Sequence, residues 1–278
     1  MFDRFTLLAG PCQLEDDRLN LAVAREVARL GEALSLPVVF KASFDKANRA
    51  RLDSTRGPGL RRGLELLERV RAETGLSVVT DVHEAHQCAP VSEVAEVLQI
   101  PAFLCRQTDL IVAAAATGRA LNIKKGPWMA PEEMAAVVEK ARRSGAETIV
   151  TTERGTAFGY GELIVDMRSF ARMRDATGVP AIFDGTHAVQ RPGAAGGSSG
   201  GDPEHTPALV RAAVAAGCDG LFLEVHPEPR RAPSDGATML PLERLEALLR
   251  EVVAIRAALA DPEGTRASAA PDPTARRV

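Results

Sequence analysis

Short apolar runs alternate with longer amphipathic stretches along this chain, and that alternation restricts its fold more than any other feature. The runs are FTLLAG (5–10), PVVFKA (37–42), SVVTD (77–81), VLQIPAF (97–103), ALNIKK (120–125), ETIVTT (147–152), PAIFD (180–184) and GLFLE (220–224). Most are continuously apolar, as parallel strands covered on both faces are. Helix-like segments at 16–34, 58–73, 131–144 and 241–258 lie between them. In MAPEEMAAVVEKARRSG, Pro131 stands near the start, acids fill the first turn, bases the last, and Gly145 follows. That is the polarity of helix ends. Eight strand–helix units with no break in 278 residues predict one (β/α)8 barrel, an α/β fold, over residues 1–260. The alternative is an open doubly wound sheet, but no G-x-G-x-x-G turn follows the first strand. Residues 261–278 are rich in Pro, Ala and charge without periodicity and read as a disordered tail.

A net charge of −3 gives no reason to expect nucleic acid or an acidic membrane as partner. No apolar run approaches the roughly 20 residues a membrane-spanning helix needs. MFDRFTLLAG lacks the apolar core and cleavage site of a secretory signal. Cys12, Cys88, Cys105 and Cys218 are scattered without paired spacing, as reduced cytosolic thiols are.

The C-terminal ends of barrel strands form one rim, where active sites sit. Those positions hold Cys12; Lys41, Lys46 and Arg49; Asp81, His83 and Glu84; Arg106 and Gln107; Lys124 and Lys125; Glu153 and Arg154; Asp184 and His187; Glu224 and His226; then Asp235. Lys41, Lys46, Lys124 and Arg154 suit a ligand with several negative charges, such as a phosphorylated carboxylate. Pairing with a neighbouring acid accounts equally well for any single one of them. Cys12, His187, Glu224 and Asp235 are a mixed sulfur, nitrogen and oxygen set. Such a set suits Zn²⁺, Fe²⁺ or Mn²⁺ rather than Ca²⁺ or Mg²⁺. Taken without the barrel, Cys12 reads as a small buried hydrophobe. His83 stands where it would exchange protons with a substrate. His86 and His205 read as loop or helix-start residues, and Cys88, Cys105 and Cys218 as packing. RPGAAGGSSGGDPEH (191–205) reads as a lid or an idle insertion, and STRGPGL (54–60) as a shaped turn with Pro58 starting a helix.

FKASFDKANR (40–49), RGPGL (56–60), TDVHE (80–84), IPAFLCRQTDL (100–110), NIKKG (122–126), ERGTAFGY (153–160) and EVHPEP (224–229) closely resemble the 3-deoxy-D-manno-octulosonate 8-phosphate synthase family. The resemblance covers roughly residues 5–258, in order. It implies condensation of phosphoenolpyruvate with D-arabinose 5-phosphate and release of phosphate, toward the inner-core sugar of lipopolysaccharide. It also implies a homotetrameric, cytoplasmic barrel enzyme. Cys12 in AGPC resembles the metal-dependent form, with His187, Glu224 and Asp235 as its other ligands. By the same resemblance Lys41, Ser43 and Lys46 meet the phosphoenolpyruvate carboxylate. Lys124 and Arg154 meet its phosphate near the Ala102–Phe103 backbone. Asn48 and Arg49 meet the sugar phosphate, with Arg49 reaching a neighbouring subunit's site. Gln99, Asp81 and His83 are further active-site groups, and Lys46, Asp81, His83 and Asp235 are the candidates for catalysis.

The chain departs from that pattern in three places. Ala50-Arg51 replaces the usual Ser-Ser, and Gly185 stands where Ala or Val is usual. Asp202-Pro203-Glu204 stands where a basic residue is expected. These departures predict weaker sugar-phosphate binding, a looser turn after the seventh strand and weaker lid closure. Two other activities remain possible on the residues alone. One is the related heptulosonate 7-phosphate synthase, which uses erythrose 4-phosphate and carries a different motif where this chain has KANR. The other is an aldolase forming a Schiff base at Lys124.

Overall fold

The eight apolar runs become eight parallel strands that close on themselves. The computed structural model describes residues 1–49, 51–191 and 200–260. Within them, β1 (Thr6–Gly10), β2 (Val38–Lys41), β3 (Ser77–Asp81), β4 (Val97–Ile100), β5 (Ala120–Lys124), β6 (Ile149–Glu153), β7 (Ala181–Asp184) and β8 (Gly220–His226) pair in chain order. β8 then pairs with β1, Thr6 beside Gly220 and Gly10 beside Glu224, so the barrel has no free edge. The helices α1 (Asp17–Ala33), α2 (Leu60–Thr74), α3 (Ala85–Val94), α4 (Thr108–Ala115), α5 (Met134–Arg143), α6 (Ser169–Thr177), α7 (Thr206–Ala215) and α8 (Leu242–Ala260) follow the strands in turn. Asp16 starts α1 by accepting the Leu19 backbone N–H at 2.8 Å. None of the described helices is long and apolar enough to cross a membrane.

Two apolar layers hold the molecule together. Outward-facing strand residues such as Leu7, Phe40, Leu98 and Phe183 pack on Val27, Leu67, Ile111 and Phe170 of the helices. Cys88, Cys105 and Cys218 belong to this layer. Leu8, Val39, Val79, Val97, Val150, Ile182 and Phe222 form a separate plug inside the barrel. Fully burying one such side chain is worth about 1.5–3 kcal/mol, so losing one would remove a sizeable part of a net stability of about 5–15 kcal/mol.

Strand side chains on one face recur every second residue. Two residues beyond the plug, the inward positions are Gly10, Lys41, Asp81, Gln99, Asn122, Thr152, Asp184 and Glu224. The strands are thus apolar on their helix side throughout and apolar inside only at their lower ends. Continuous apolarity describes the lower half of each run and not the end that faces the rim.

Several boundaries differ from the sequence expectation for local reasons. β4 stops at Ile100 because Pro101 carries no N–H, and Ala102–Leu104 make a single 3-10 turn. Pro131 opens a 3-10 turn over Pro131–Glu133 before α5 begins. Pro58 does not start α2; Gly59 precedes its first residue, Leu60. Gly57 and Gly59 have φ of 119° and 79°, and a Cβ on Gly57 would sit 2.6 Å from the Phe44 carbonyl oxygen. This turn wraps the loop after β2: Gly59 N–H donates to Phe44 O at 3.0 Å and Lys46 N–H to Arg56 O at 2.7 Å. Three further pairings were not foreseen: a hairpin of Thr156–Phe158 with Glu162–Ile164, a ladder of Gln190–Arg191 with Gly200–Gly201, and Leu240–Pro241 beside β8. The expected tail at 261–278, Ala50, and residues 192–199 of the expected lid lie outside the described residues.

Candidate active site

The polar layer above the plug is a bonded floor. Thr152 Oγ1 donates to Asn122 Oδ1 at 2.6 Å, and Asn122 Nδ2 donates to Gln99 Oε1 at 2.8 Å. Gln99 Nε2 donates to Asp81 Oδ1 at 2.6 Å, and the Ser43 hydroxyl donates to Asp81 Oδ2. All five side chains are buried. Lys46, half-buried above them, donates from Nζ to Ser43 Oγ at 3.1 Å.

Buried cations stand beside buried carboxylates on this floor. Lys41 Nζ donates to Glu224 Oε1 at 2.7 Å and to the Cys12 carbonyl at 3.2 Å, with Asp81 Oδ2 at 3.7 Å. Burial disfavours its charge and is the largest single effect, but Glu224 and Asp81, with Cys12, together more than offset it and lift the ammonium above the ordinary lysine value. Lys124 Nζ donates to Asp184 Oδ2 at 2.7 Å and lies 3.7 Å from the centroid of the Phe222 ring. For Lys124 burial outweighs Asp184 and pulls the ammonium below its ordinary value. Asp81 and Asp184 stay well below the carboxylate range despite burial, Asp81 through Lys41 and Lys46, Asp184 through His187 and Lys124. Arg154 donates to Gln190 Oε1 at 2.6 Å, and Gln190 Nε2 donates to Asp235 Oδ1 at 2.8 Å. The phosphate-type cation is thereby tied to the metal-type carboxylate through one amide.

Where β1 meets β8, ligand atoms of Cys12, Glu224 and Asp235 lie within 4.8 Å of one another. The Cys12 thiol donates to Asp235 Oδ2 at 3.1 Å, and Ser234 Oγ donates to the same oxygen at 2.8 Å. Burial, then Glu224, pushes the thiol well above its ordinary pKa. Glu224 Oε2 is buried with no hydrogen-bond partner, and Asp235 sits at φ 51°. An unpaired carboxylate oxygen facing a thiol and a second carboxylate fits a borderline divalent cation. His187 stands beside this group: its Nε2 is 3.5 Å from Glu224 Oε2, and its Nδ1 is 2.8 Å from Asp184 Oδ2. Buried His226 braces β8 to the β1 loop. Its Nδ1 accepts the Glu228 N–H at 2.9 Å, so Nε2 carries the proton toward Glu15 Oε1 at 3.0 Å.

The remaining expected residues spread around the rim. His83 Nδ1 is buried without a partner, its ring edge-on to Phe44, and burial lowers its pKa. Ala102 is buried, while Phe103 is exposed and stacked on Trp128 with centroids 6.1 Å apart. Asn48 is exposed. Within one chain, Arg49 donates to Ser234 Oγ at 2.9 Å and to Pro233 O at 2.6 Å. Arg51 turns to Asp53 at 2.9 Å on the surface. At Gly185 a Cβ would meet Val210 Cγ2 at 2.7 Å, so the glycine lets the turn after β7 press on α7. Asp202 pairs with Arg191 at 2.7 Å and closes the base of the long loop.

Asn122, Thr152 and Asp184 had no role assigned from the sequence, Asp184 being counted only as a rim position, and Gln190 was missed altogether. The first three could have been found by counting two residues beyond each plug position. Gln190 had no such signal, because it lies beyond the strand in a loop.

The DAHP synthetase I family matches residues 2–260. A 2-dehydro-3-deoxyphosphooctonate aldolase of Nitratidesulfovibrio vulgaris is 58% identical over 249 residues, 90% of this chain and 91% of its own. Proteins of the same name from Cyanothece sp. and Bradyrhizobium sp. are 52% and 51% identical, over 92% and 90% of this chain and 93% and 88% of theirs.

Proposed function

The chain belongs to the DAHP synthetase I family, and from that premise we propose that it is a 3-deoxy-D-manno-octulosonate 8-phosphate synthase of the metal-dependent form. It condenses phosphoenolpyruvate with D-arabinose 5-phosphate and water, releasing phosphate, in the cytoplasm and toward lipopolysaccharide inner-core sugar. The observation that carries this reading is one rim holding Lys41, Lys46, Lys124 and Arg154 around the Cys12, Glu224 and Asp235 group. The relatives' shared name supports it.

C3 of the enolpyruvate attacks the sugar aldehyde carbon, forming the new C–C bond while the aldehyde oxygen takes a proton. Water adds at C2 and loses a proton. The hemiketal phosphate then breaks its bond between C2 and the phosphate oxygen, the phosphate leaves with the electron pair and takes up the C2 hydroxyl proton, and C2 becomes the ketone. Lys41, Ser43 and Lys46 hold the carboxylate, and Lys124 and Arg154 the phosphate, beside Ala102 and Phe103. Asn48 and Arg49 take the sugar phosphate. Fixed cations serve the charge as it moves because they need no reorganisation during the step. Gln99 orients Asp81, and Lys46, Asp81, His83 and Asp235 stand nearest the moving protons. Cys12, Glu224 and Asp235, with His187 beside them, would hold Zn²⁺, Fe²⁺ or Mn²⁺. When bound, the cation offsets the carboxylates and polarises a neighbouring oxygen. The proposed assembly is a homotetramer, and stacked, exposed Phe103 and Trp128 are apolar surface for a neighbouring copy to cover.

The test is phosphate release from phosphoenolpyruvate with arabinose 5-phosphate or erythrose 4-phosphate, before and after chelation. Turnover with the five-carbon sugar alone, lost in chelator and restored by one divalent metal, is the expected result. Turnover with the four-carbon sugar alone would make the chain a heptulosonate synthase. Full activity in chelator would remove the metal. Borohydride trapping at Lys124 would replace the scheme with a Schiff-base one.

A further inference from the structure

We infer that Thr152 and Asn122 are positioning residues for the proposed reaction, acting through Gln99 to fix how Asp81 faces the substrates. The inference rests on the reading above for the role of Asp81. It stands on the direction of the hydrogen bonds as much as on their lengths.

An amide side chain offers a donor on one side and an acceptor on the other, so a row of amides has a polarity. Here the row runs from Thr152 Oγ1 through Asn122 and Gln99 to Asp81 Oδ1, at 2.6, 2.8 and 2.6 Å. In this direction the threonine hydroxyl is the terminal donor and Asp81 the terminal acceptor, as a carboxylate must be. Reversed, the Gln99 carbonyl would face Asp81 Oδ1, and the bond would survive only with a proton on the acid. The four side chains come from β6, β5, β4 and β3, whose spacing the barrel closure fixes. All are buried, so a mispolarised amide has no water to turn to. Asp81 Oδ2 is meanwhile held by Ser43, which Lys46 also touches. Lys41, Lys46, His83 and Lys124 are the charged or titratable groups that surround Asp81. They favour its carboxylate form but do not fix its plane, whereas Gln99 and Ser43 each hold one oxygen. The Asp81 carboxylate, an acceptor only, sets the polarity of the row. Thr152, three hydrogen bonds away, supplies the donor without which Asn122 Oδ1 would be buried unpaired and the row would lose its far anchor.

Steady-state kinetics with phosphoenolpyruvate and arabinose 5-phosphate on the full chain test this. Thr152→Val keeps the shape and removes the donor. It is expected to lower kcat about tenfold with both KM values within about threefold, because an orienting group acts on the chemical step. Thr152→Ser keeps the hydroxyl and should restore kcat to within about twofold of the parent. In a Gln99→Met background the row is already cut, so Thr152→Val should cost no further kcat. Equal losses in both backgrounds would mean that Thr152 only supports the fold and would overturn the inference. A Thr152→Val enzyme with parental kcat would overturn it too. If the valine variant does not fold, Thr152→Ala carries the same comparisons. A parent that releases phosphate with neither sugar overturns the underlying reading and this inference together. A parent that turns over while the cycle is additive overturns the inference alone.

Discussion

At the scale of single residues, Cys12 shows how one side chain changes meaning with its surroundings. It is fully buried, the mark of an inert packing thiol, and burial followed by Glu224 keeps it protonated without a cation. A divalent ion reverses that balance, because its charge offsets both carboxylates and its bond to sulfur favours the thiolate as ligand. Cys12→Ser is therefore expected to fold, since its site is already polar, and to lose at least about 100-fold in metal affinity. Metal content after dialysis, measured by mass spectrometry beside the melting temperature, checks this. A serine variant that keeps one equivalent of metal would return Cys12 to packing. The grouping of Cys12, Glu224 and Asp235 was legible because Cys12 follows β1, Glu224 lies near the rim end of the neighbouring β8, and Asp235 follows in the next loop. The orphaned oxygen of Glu224 was not, since it depends on where Lys41 of a different strand places its ammonium.

At the scale of elements, the site depends on how closely β1 and β2 approach. A Cβ on Gly10 would lie 2.1 Å from the Lys41 carbonyl oxygen, and neither backbone is free to withdraw. Gly10→Ala must push the two strands apart, moving Cys12 and Lys41 together. The expected destabilisation is about 3 kcal/mol, the upper end for overpacking, read as a lower urea midpoint at unchanged slope. Residual activity should fall further than the folded fraction does. Gly185→Ala is the contrast, because its nearest obstacle, Val210 Cγ2 at 2.7 Å, belongs to a side chain that can adjust. Its cost should be the smaller, and a Gly10 variant as mild as the Gly185 one would show that the strand approach is not a constraint. The alternation of periods placed all eight strands correctly. The hairpin at 156–164 escaped notice because its strands are three residues each, too short to show a period.

At the scale of the whole molecule, the barrel was legible because helix and strand periods are local. Its polar floor was less so, because Thr152, Asn122, Gln99 and Asp81 become neighbours only when four strands come together. That floor gives the fold its acid sensitivity. Asp81 and Asp184 keep folded pKa values below the ordinary carboxylate range despite burial, through Lys41 and Lys46 and through His187 and Lys124 respectively. A depressed folded pKa means that the unfolded chain binds more protons between the two values. The stabilisation is present above the unfolded carboxylate range, about 4, and is lost as pH falls toward the folded values. The buried thiols act in the opposite sense. Burial pushes Cys88 up to about 11 and Cys218 up to about 12, so their contribution is complete below the unfolded thiol value and is lost as pH rises through the folded ones. Urea midpoints taken in chelator should therefore be flat only between about pH 7 and pH 8 and fall on both sides. Half-buried His83, whose folded pKa is lowered by desolvation, starts the acid limb below about pH 6.5, and the carboxylates extend it. Asp81→Asn should flatten part of the acid limb and leave the alkaline limb alone, while Cys218→Ala should do the reverse. An acid limb unchanged in Asp81→Asn would mean that Lys41 and Lys46 stabilise the carboxylate no better than water does. The bonded floor would then be a device for orientation alone, with no share in holding the barrel closed.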